Sequence, residues 1–382
     1  MTGESTRRRY LRELTTAAAV GLAGCPARSD TPDDESTLGP LPKRWNVSIR
    51  DPAPPTFGPD GLYVSARYGH VSAGGGDVRV IALTPDGSER WRATTRDGTS
   101  GVGLGDGTAY VGSSDGRVYA FDAASGSRRW QYRYGSTEGF ETGSWLRPTV
   151  VGDVVVATAG HAIDDGTVAH AVVGLDTASG ERRWRQPIGD NAFTVPVVVD
   201  SAVVFGADDG HVYAVEAASG EFRWRFETGY GVRGSPVRHG DTLFIGSRDD
   251  RLYGLGIDGT ERWTVEAGND VDAGPAVASG RVYAGSDDYT TYAREAATGS
   301  EAWRHEGQAP VTALAVGGKT VYTGTDKGTV RAHTAETGEV RWSADIGETE
   351  RRVRWLAVRD DRLYVVERSG IRAYGLTGGA SG

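Results

Sequence analysis

At 382 residues the chain could hold two or three average domains, yet one repeat array or barrel absorbs the same length. Its 56 glycines, 16 tyrosines and 10 tryptophans, against one methionine, are the profile of many short strands joined by tight turns and favour an all-β fold. The net charge of −9 argues against nucleic acid as a partner, and the single cysteine, Cys25, excludes an intramolecular disulfide and a cysteine-rich metal site.

The first forty residues read as an address. Thr6 to Arg12 spells TRRRYLR and resembles a twin-arginine export signature carried by Arg7 and Arg8. An apolar run from Leu14 to Gly24 follows, about half of what a bilayer-spanning helix requires. It ends Leu22-Ala23-Gly24-Cys25, which resembles a lipobox and makes Cys25 the expected lipidation site. Two acyl chains on that thiol suffice for stable anchoring. The expectation is a signal peptide at 1–24 and a flexible Pro/Asp/Ser/Thr tether at 25–43, with the protein held on the extracytoplasmic face of the membrane. Asn46-Val47-Ser48 is a lone glycosylation sequon.

Beyond the tether a unit recurs about every forty residues. The copies include VYAFDAASGSRRW at 118–130, VVGLDTASGERRW at 172–184, VYAVEAASGEFRW at 212–224, TYAREAATGSEAW at 291–303 and VRAHTAETGEVRW at 330–342. With shorter copies at 80–91 and 252–263, seven units end in Trp91, Trp130, Trp184, Trp224, Trp263, Trp303 and Trp342. A glycine four residues before each tryptophan marks strand, tight turn, strand. Asp-Gly hairpins upstream, as in AYVGSSDGRVYAFD (109–122), and a further opening strand bring each unit to four strands, which is a propeller blade. An eighth unit is split: IRAYGL at 371–376 is a third strand without its Trp strand, and Trp45 is a Trp strand without a blade. Joining them predicts an eight-bladed β-propeller over 44–376, closed by the N-terminal strand, with a disordered tail at 377–382. The eight blade tryptophans, Trp45 included, are expected to be structural, each packing on the next blade with its N–H on a carbonyl.

The strand ending in Tyr-Ala-hydrophobe-Asp, the Ser/Thr-Gly turn and the Trp four residues later resemble the PQQ-repeat propeller family. That family includes quinoprotein alcohol dehydrogenases and BamB-like assembly lipoproteins. The resemblance covers 44 to 376, implies the fold, and leaves function open. The dehydrogenases hold PQQ over Ca²⁺ beside a vicinal disulfide, which a chain with one cysteine lacks, so no PQQ, calcium or catalytic residue is expected. The BamB-like members are non-catalytic, lipid-anchored and eight-bladed. Among the basic residues only Lys43, Lys319 and Lys327 are lysines, and an acidic, arginine-rich surface stays solvated in strong salt, so the chain reads as a salt-adapted, haloarchaeal member.

Seven scattered histidines show no metal spacing, and the Asp-Asp pairs at 208–209, 249–250 and 287–288 recur at one hairpin as turn chemistry requires. Variation between copies is more informative. Most Trp-to-Trp intervals are 39 or 40 residues, but Trp130 to Trp184 is 54 and Trp45 to Trp91 is 46, and insertions on a repeat scaffold mark loops. The longer one extends 134–148 and 160–171. Phe140, Trp145, Phe193, Tyr230, Arg233, Arg351, Arg352, Arg354 and Trp355 all fall in connections that open onto one face. Aromatics interleaved with arginines there suit a protein, peptide or glycan partner of a monomeric scaffold; the competing reading is that they merely cover the hub. A redox enzyme and a solute or glycan sensor are the alternative functions.

Overall fold

Runs such as AVVFG at 202–206 have no polar face, so they can form strands only if both faces are covered; strands like FRWRFE at 222–227 alternate and need one. The computed structural model describes residues 37–66, 78–134, 146–162, 168–346 and 352–376 and arranges them accordingly. They form eight antiparallel sheets and no helix among the described residues. In blade 4 the order is Val197–Val199, Ala202–Gly206, His211–Glu216 and Phe222–Glu227; the second strand is buried throughout and the fourth alternates exposed and half-buried. Blades 1 to 7 have this plan, spanning 56–95, 103–133, 149–188, 197–227, 237–266, 273–306 and 311–345.

The third and fourth strands of each blade meet in a glycine turn, and that turn reaches the preceding blade. Gly126 adopts φ +73° while its amide donates to the Asp122 carbonyl. A Cβ at this position would lie 2.7 Å from the Trp91 indole. The same indole donates its N–H to the carbonyl of Ala123 at 2.9 Å. Glycines 87, 180, 220, 259, 299 and 338 sit likewise on the indoles of Trp45, Trp130, Trp184, Trp224, Trp263 and Trp303, with Cβ clearances of 2.5 to 2.8 Å. Each of these indoles donates to a carbonyl of the next blade, at 2.8 to 3.1 Å.

Closure occurs as expected. Leu41–Ser48 pairs antiparallel with Gly370–Gly375, Trp45 standing opposite Ala373. With Trp355–Arg359 and Arg362–Glu367 these strands complete blade 8. The sheet also reaches further back than 44, into the segment expected as tether: Thr37–Leu38 adds a fifth strand against Leu41 and Pro42. The reason is Gly39. At φ +58° it turns the chain so that its own Cβ position lies 3.0 Å from Trp342, which supplies blade 7 with the glycine its neighbour would otherwise lack. The tail at 377–382 and the signal at 1–24, with Arg7, Arg8 and Cys25, lie outside the described residues.

One seam contains a buried base. His333 is fully buried, with Nδ1 3.2 Å from the Gly338 carbonyl and Nε2 3.1 Å from the Thr323 hydroxyl. The carbonyl can only accept, so Nδ1 carries the proton and Nε2 accepts from threonine. The His305 ring meets it edge-on at 4.8 Å and Trp303 stacks at 6.1 Å. Burial, with His305 and Arg331 adding to it, pushes the His333 pKa down to about 4.

Two outcomes test these packing arguments. Gly280 has φ +76° with nothing within 4 Å of its Cβ position, so Gly280→Ala should cost only about 1 kcal/mol of backbone strain. Gly126→Ala adds the clash with Trp91 and should cost about 3 kcal/mol; equal losses on chemical denaturation would remove the indole contact from the account. The depressed pKa of His333 means stability that is complete above the unfolded value near 6.5 and drains as pH falls towards 4, by ~3 kcal/mol in all. His333→Gln should flatten the melting-temperature profile across that window, and an unchanged slope would place the acid sensitivity elsewhere.

Candidate functional site

The connections between blades and the hairpins joining second to third strands are tied together on one face. Asp208, in the blade 4 hairpin, donates its amide to the Asn191 carbonyl of the entering loop, and Asp287 donates to Asp270 in blade 6. The aspartate one step further on has a fixed task. Asp209, Asp249 and Asp288 each accept from a tyrosine hydroxyl four residues later, Tyr213, Tyr253 and Tyr292, at 2.5 to 2.6 Å. Each also accepts the amide of Gly189, Gly229 or Gly268 from the preceding blade. Asp115 bonds Tyr119 in the same way. The Asp-x-x-x-Tyr recurrence was visible in the sequence, and it assigns these carboxylates to inter-blade latching.

On this frame the loop side chains divide into two sectors. In the first, Arg233 grips Asp208 with Nε and Nη2, at 2.8 and 2.7 Å to the two carboxylate oxygens, while its guanidinium lies 5.3 Å above the Phe193 ring. Tyr230, on the same loop, has its carbonyl held by the hydroxyls of Thr228 and Ser247, yet its side chain is 65% exposed. At the next seam the polarity reverses: Arg248 lies 3.2 Å from both Asp270 and Asp272. The blade 6 hairpin then presents Tyr289, 47% exposed at φ +75°. Tyr289 had no sequence signal beyond its place in an Asp-Asp-Tyr turn. Burial, then the charge of Asp272, pushes the Asp287 pKa upward against the opposing pull of Arg352 and Arg248.

The second sector is the entry to blade 8. Arg354 contacts the buried carboxylate of Asp51 at 2.8 Å, with Arg368 at 3.5 Å. Trp355 is half-buried, stacked on Phe57 at 6.3 Å, and Phe57 meets Tyr364 edge-on and lies beneath Arg359. Trp355 therefore packs against a core cluster shared by blades 8 and 1. Arg352 is exposed. The structure does not unite Phe193, Tyr230 and Arg233 with Arg354 and Trp355, and Phe140, Trp145 and Arg351 lie outside the described residues. The blade 3 insertion takes a defined form in part, since Val154–Ala162 and Val168–Asp176 are nine-residue strands where other blades use five or six. Among the described residues no three His, Cys, Asp or Glu side chains converge to hold a metal ion.

Eight blades of four strands, the last with a short fifth strand added, each locked to the next by an indole and a glycine, define the class: an eight-bladed β-propeller of PQQ-type repeats. Residues 74–205, 157–230 and 208–373 match the family model described as outer membrane protein assembly factor BamB, and the chain belongs to that family. Comparison with curated proteins finds no match. Among solved structures the chain is similar to BamB from Moraxella catarrhalis, at 21% identity over 90% of this chain and 99% of that one, with a TM-score of 0.71. The computationally designed Ika8 protein matches at 18% identity over 87% and 98%, TM-score 0.66. A quinohemoprotein alcohol dehydrogenase from Comamonas testosteroni matches at 15% over 91% and 78%, TM-score 0.67. These likenesses are of fold, and they reach both an assembly factor and an enzyme.

The raised pKa of Asp287, only partly offset by Arg352 and Arg248, gives a test of the first sector. A carboxyl whose folded pKa is raised destabilises the folded state once ionised, a penalty present at neutral pH and absent below the unfolded pKa. Asp287→Asn should therefore stabilise by on the order of 0.5 kcal/mol at pH 7 and by nothing at pH 3. A loss at pH 7 would mean that the carboxylate has a partner it depends on.

Proposed function

We propose that this protein is a non-catalytic, lipid-anchored scaffold on the extracytoplasmic side of the membrane, monomeric, and that it binds a protein partner through its loop face. One observation carries the reading: the two most exposed large aromatic side chains among the described residues, Tyr230 and Tyr289, both stand on that face, on loops whose backbones are pinned. Tyrosines on rigid supports supply contact area at low entropic cost and concentrate binding energy. Arg233, held by Asp208 over Phe193, adds an ordered cation beside Tyr230. Membership of a family described as an assembly factor supports a partner-binding role. Peptides and glycans remain as alternative partners of the same face. The anchor is assigned to Cys25 and the export signal to Arg7 and Arg8. The proposal includes no PQQ, calcium or other cofactor.

The test is cross-linking capture from native membranes, comparing the parent with Tyr230→Ala/Tyr289→Ala. Both substitutions are at exposed positions and should leave thermal unfolding within about 0.5 kcal/mol of the parent. Capture of one stoichiometric partner should fall at least ten-fold in the variant. Undiminished capture would sink the loop-face reading, and a bound quinone in the same eluate would replace the scaffold with a redox enzyme. Cys25→Ser should release the protein from the membrane fraction.

A further inference from the structure

One third-strand position, paired opposite the residue that follows the blade tryptophan, helps to join each blade to the one before it. Blades 2, 4, 5 and 6 place Tyr119, Tyr213, Tyr253 and Tyr292 there, with the latching aspartate four residues earlier. Blades 1 and 3 place the buried Ile81 and Val173. In blade 8 Arg372 stands there and donates across its seam to the Ile346 carbonyl at 3.2 Å. Blade 7 has Arg331 at the tyrosine's position and Lys327 at the aspartate's, so the seam between blades 6 and 7 carries two cations in place of a latch.

The same seam is the poorest in apolar side chains. Two residues further along the third strand, blades 2, 4 and 5 bury Phe121, Val215 and Leu255, whereas blade 7 buries His333. Facing Leu255 across its seam is the cluster that holds Phe226, two residues after the blade 4 tryptophan; the blade 6 counterpart of Phe226 is His305. What remains between blades 6 and 7 is Tyr283, Ala293, Trp303, Val321 and Ala335, five buried residues where the other clusters have seven to twelve among the described residues. Hydrophobic burial, the main cohesive force between sheets, is therefore least here.

A second proton on His333 goes to Nε2, which then faces the Thr323 hydroxyl as a donor. The hydroxyl can rotate and accept, so the hydrogen bond survives, but the charge finds no counter-ion. The titratable and charged groups acting on His333 are His305, edge-on from blade 6, and Arg331 on its own strand; Trp303, Thr323 and the Gly338 carbonyl complete its surroundings. Arg331 also opposes protonation of His305, and no carboxylate among the described residues relieves either ring. Acid thus places two like charges beside a fixed third inside the seam that has least to hold it.

We propose that the seam between blades 6 and 7 is an acid-operated joint: protonation of His305 and His333 parts the facing surfaces of these two blades while the other seams remain closed. The outer fastening persists. The Ala335 carbonyl accepts from the Trp303 indole at 2.9 Å, the Tyr283 hydroxyl at 3.1 Å and Arg281 at 3.3 Å, and none of these donors changes charge in acid. The joint accordingly opens and recloses without loss of a blade, and it stands whether or not the loop face binds a partner.

A buried thiol reads the opening. In a Cys25→Ser background of the full-length chain, Ala293→Cys places the thiol in this seam and Ala214→Cys in the seam between blades 4 and 5; both alanines are fully buried and lie opposite a blade tryptophan. The rate of reaction with dithiodipyridine is divided by that of the urea-unfolded chain at the same pH. From pH 7 to pH 5 this ratio should rise about ten-fold at Ala293→Cys and stay within about two-fold at Ala214→Cys. His305→Phe/His333→Leu, which installs the apolar pair of the blade 4 to 5 seam, should remove the rise and leave the pH 7 ratio unchanged. His305→Phe alone should reduce the rise if the double variant does not fold, and Val321→Cys, fully buried on the blade 7 side, replaces Ala293→Cys if that chain does not. An equal rise at both thiols, no rise in this seam, or a rise that survives the histidine replacements overturns the proposal.

Discussion

The ring depends on one contact, an indole covered by a glycine of the next blade. Each tryptophan offers a flat apolar face and a single donor, and the neighbouring turn satisfies both: a carbonyl takes the N–H and a residue without a side chain lies on the ring. Any Cβ would drive the blades apart, and positive φ independently favours glycine at the same place. Two separate requirements thus converge on one residue type, which explains why the Gly-to-Trp spacing stays constant while the surrounding residues vary. The closing blade meets the demand with different local sequence, because Gly39 precedes Trp45 by six residues and not four, yet it reaches Trp342 all the same.

Fixing the ring at the outer strands leaves the residues around the mouth free to differ. Equivalent seams bear Asp208 with Arg233 in one place and Arg248 with Asp272 in the next, so the pairing survives a reversal of sign. In blades 4, 5 and 6 the Asp–Tyr latch forms an intermediate layer, joining the hairpin between second and third strands to the exit of the preceding blade. Constraint is therefore graded from rim to mouth, and side chains with no structural duty, such as those of Tyr230 and Tyr289, occur where it is weakest.

The fold was legible because it is written several times over. The period, the glycine turn and the split eighth unit needed no knowledge of long-range contacts, and Trp45 opposite Ala373 follows from joining two incomplete copies. The loop face was legible only in outline. Loop position and aromatic character marked Trp355, but whether such a ring packs or projects is decided by the facing blade, and Phe57 of blade 1 covers it. Tyr289 was hidden because a tyrosine beside an Asp-Asp turn gives no sign of its direction. The start of the sheet at Thr37 was missed for a similar reason: a polar, proline-containing segment resembles a tether unless its glycine is matched to a tryptophan three hundred residues away.

The strand that closes the ring is among the first of the described strands to be synthesised, and its partner is the last. Until Gly370–Gly375 exists, Leu41–Ser48 has no sheet to join, although Gly87 and Trp342, the partners of Trp45 and Gly39 on blades 1 and 7, are already made. Closure is thus a test of completeness that the molecule applies to itself. A chain cut short by a few dozen residues loses more than one blade, because both sides of the gap, on blade 1 and on blade 7, are unfastened together, and the product exposes two apolar sheet faces to chaperones and proteases.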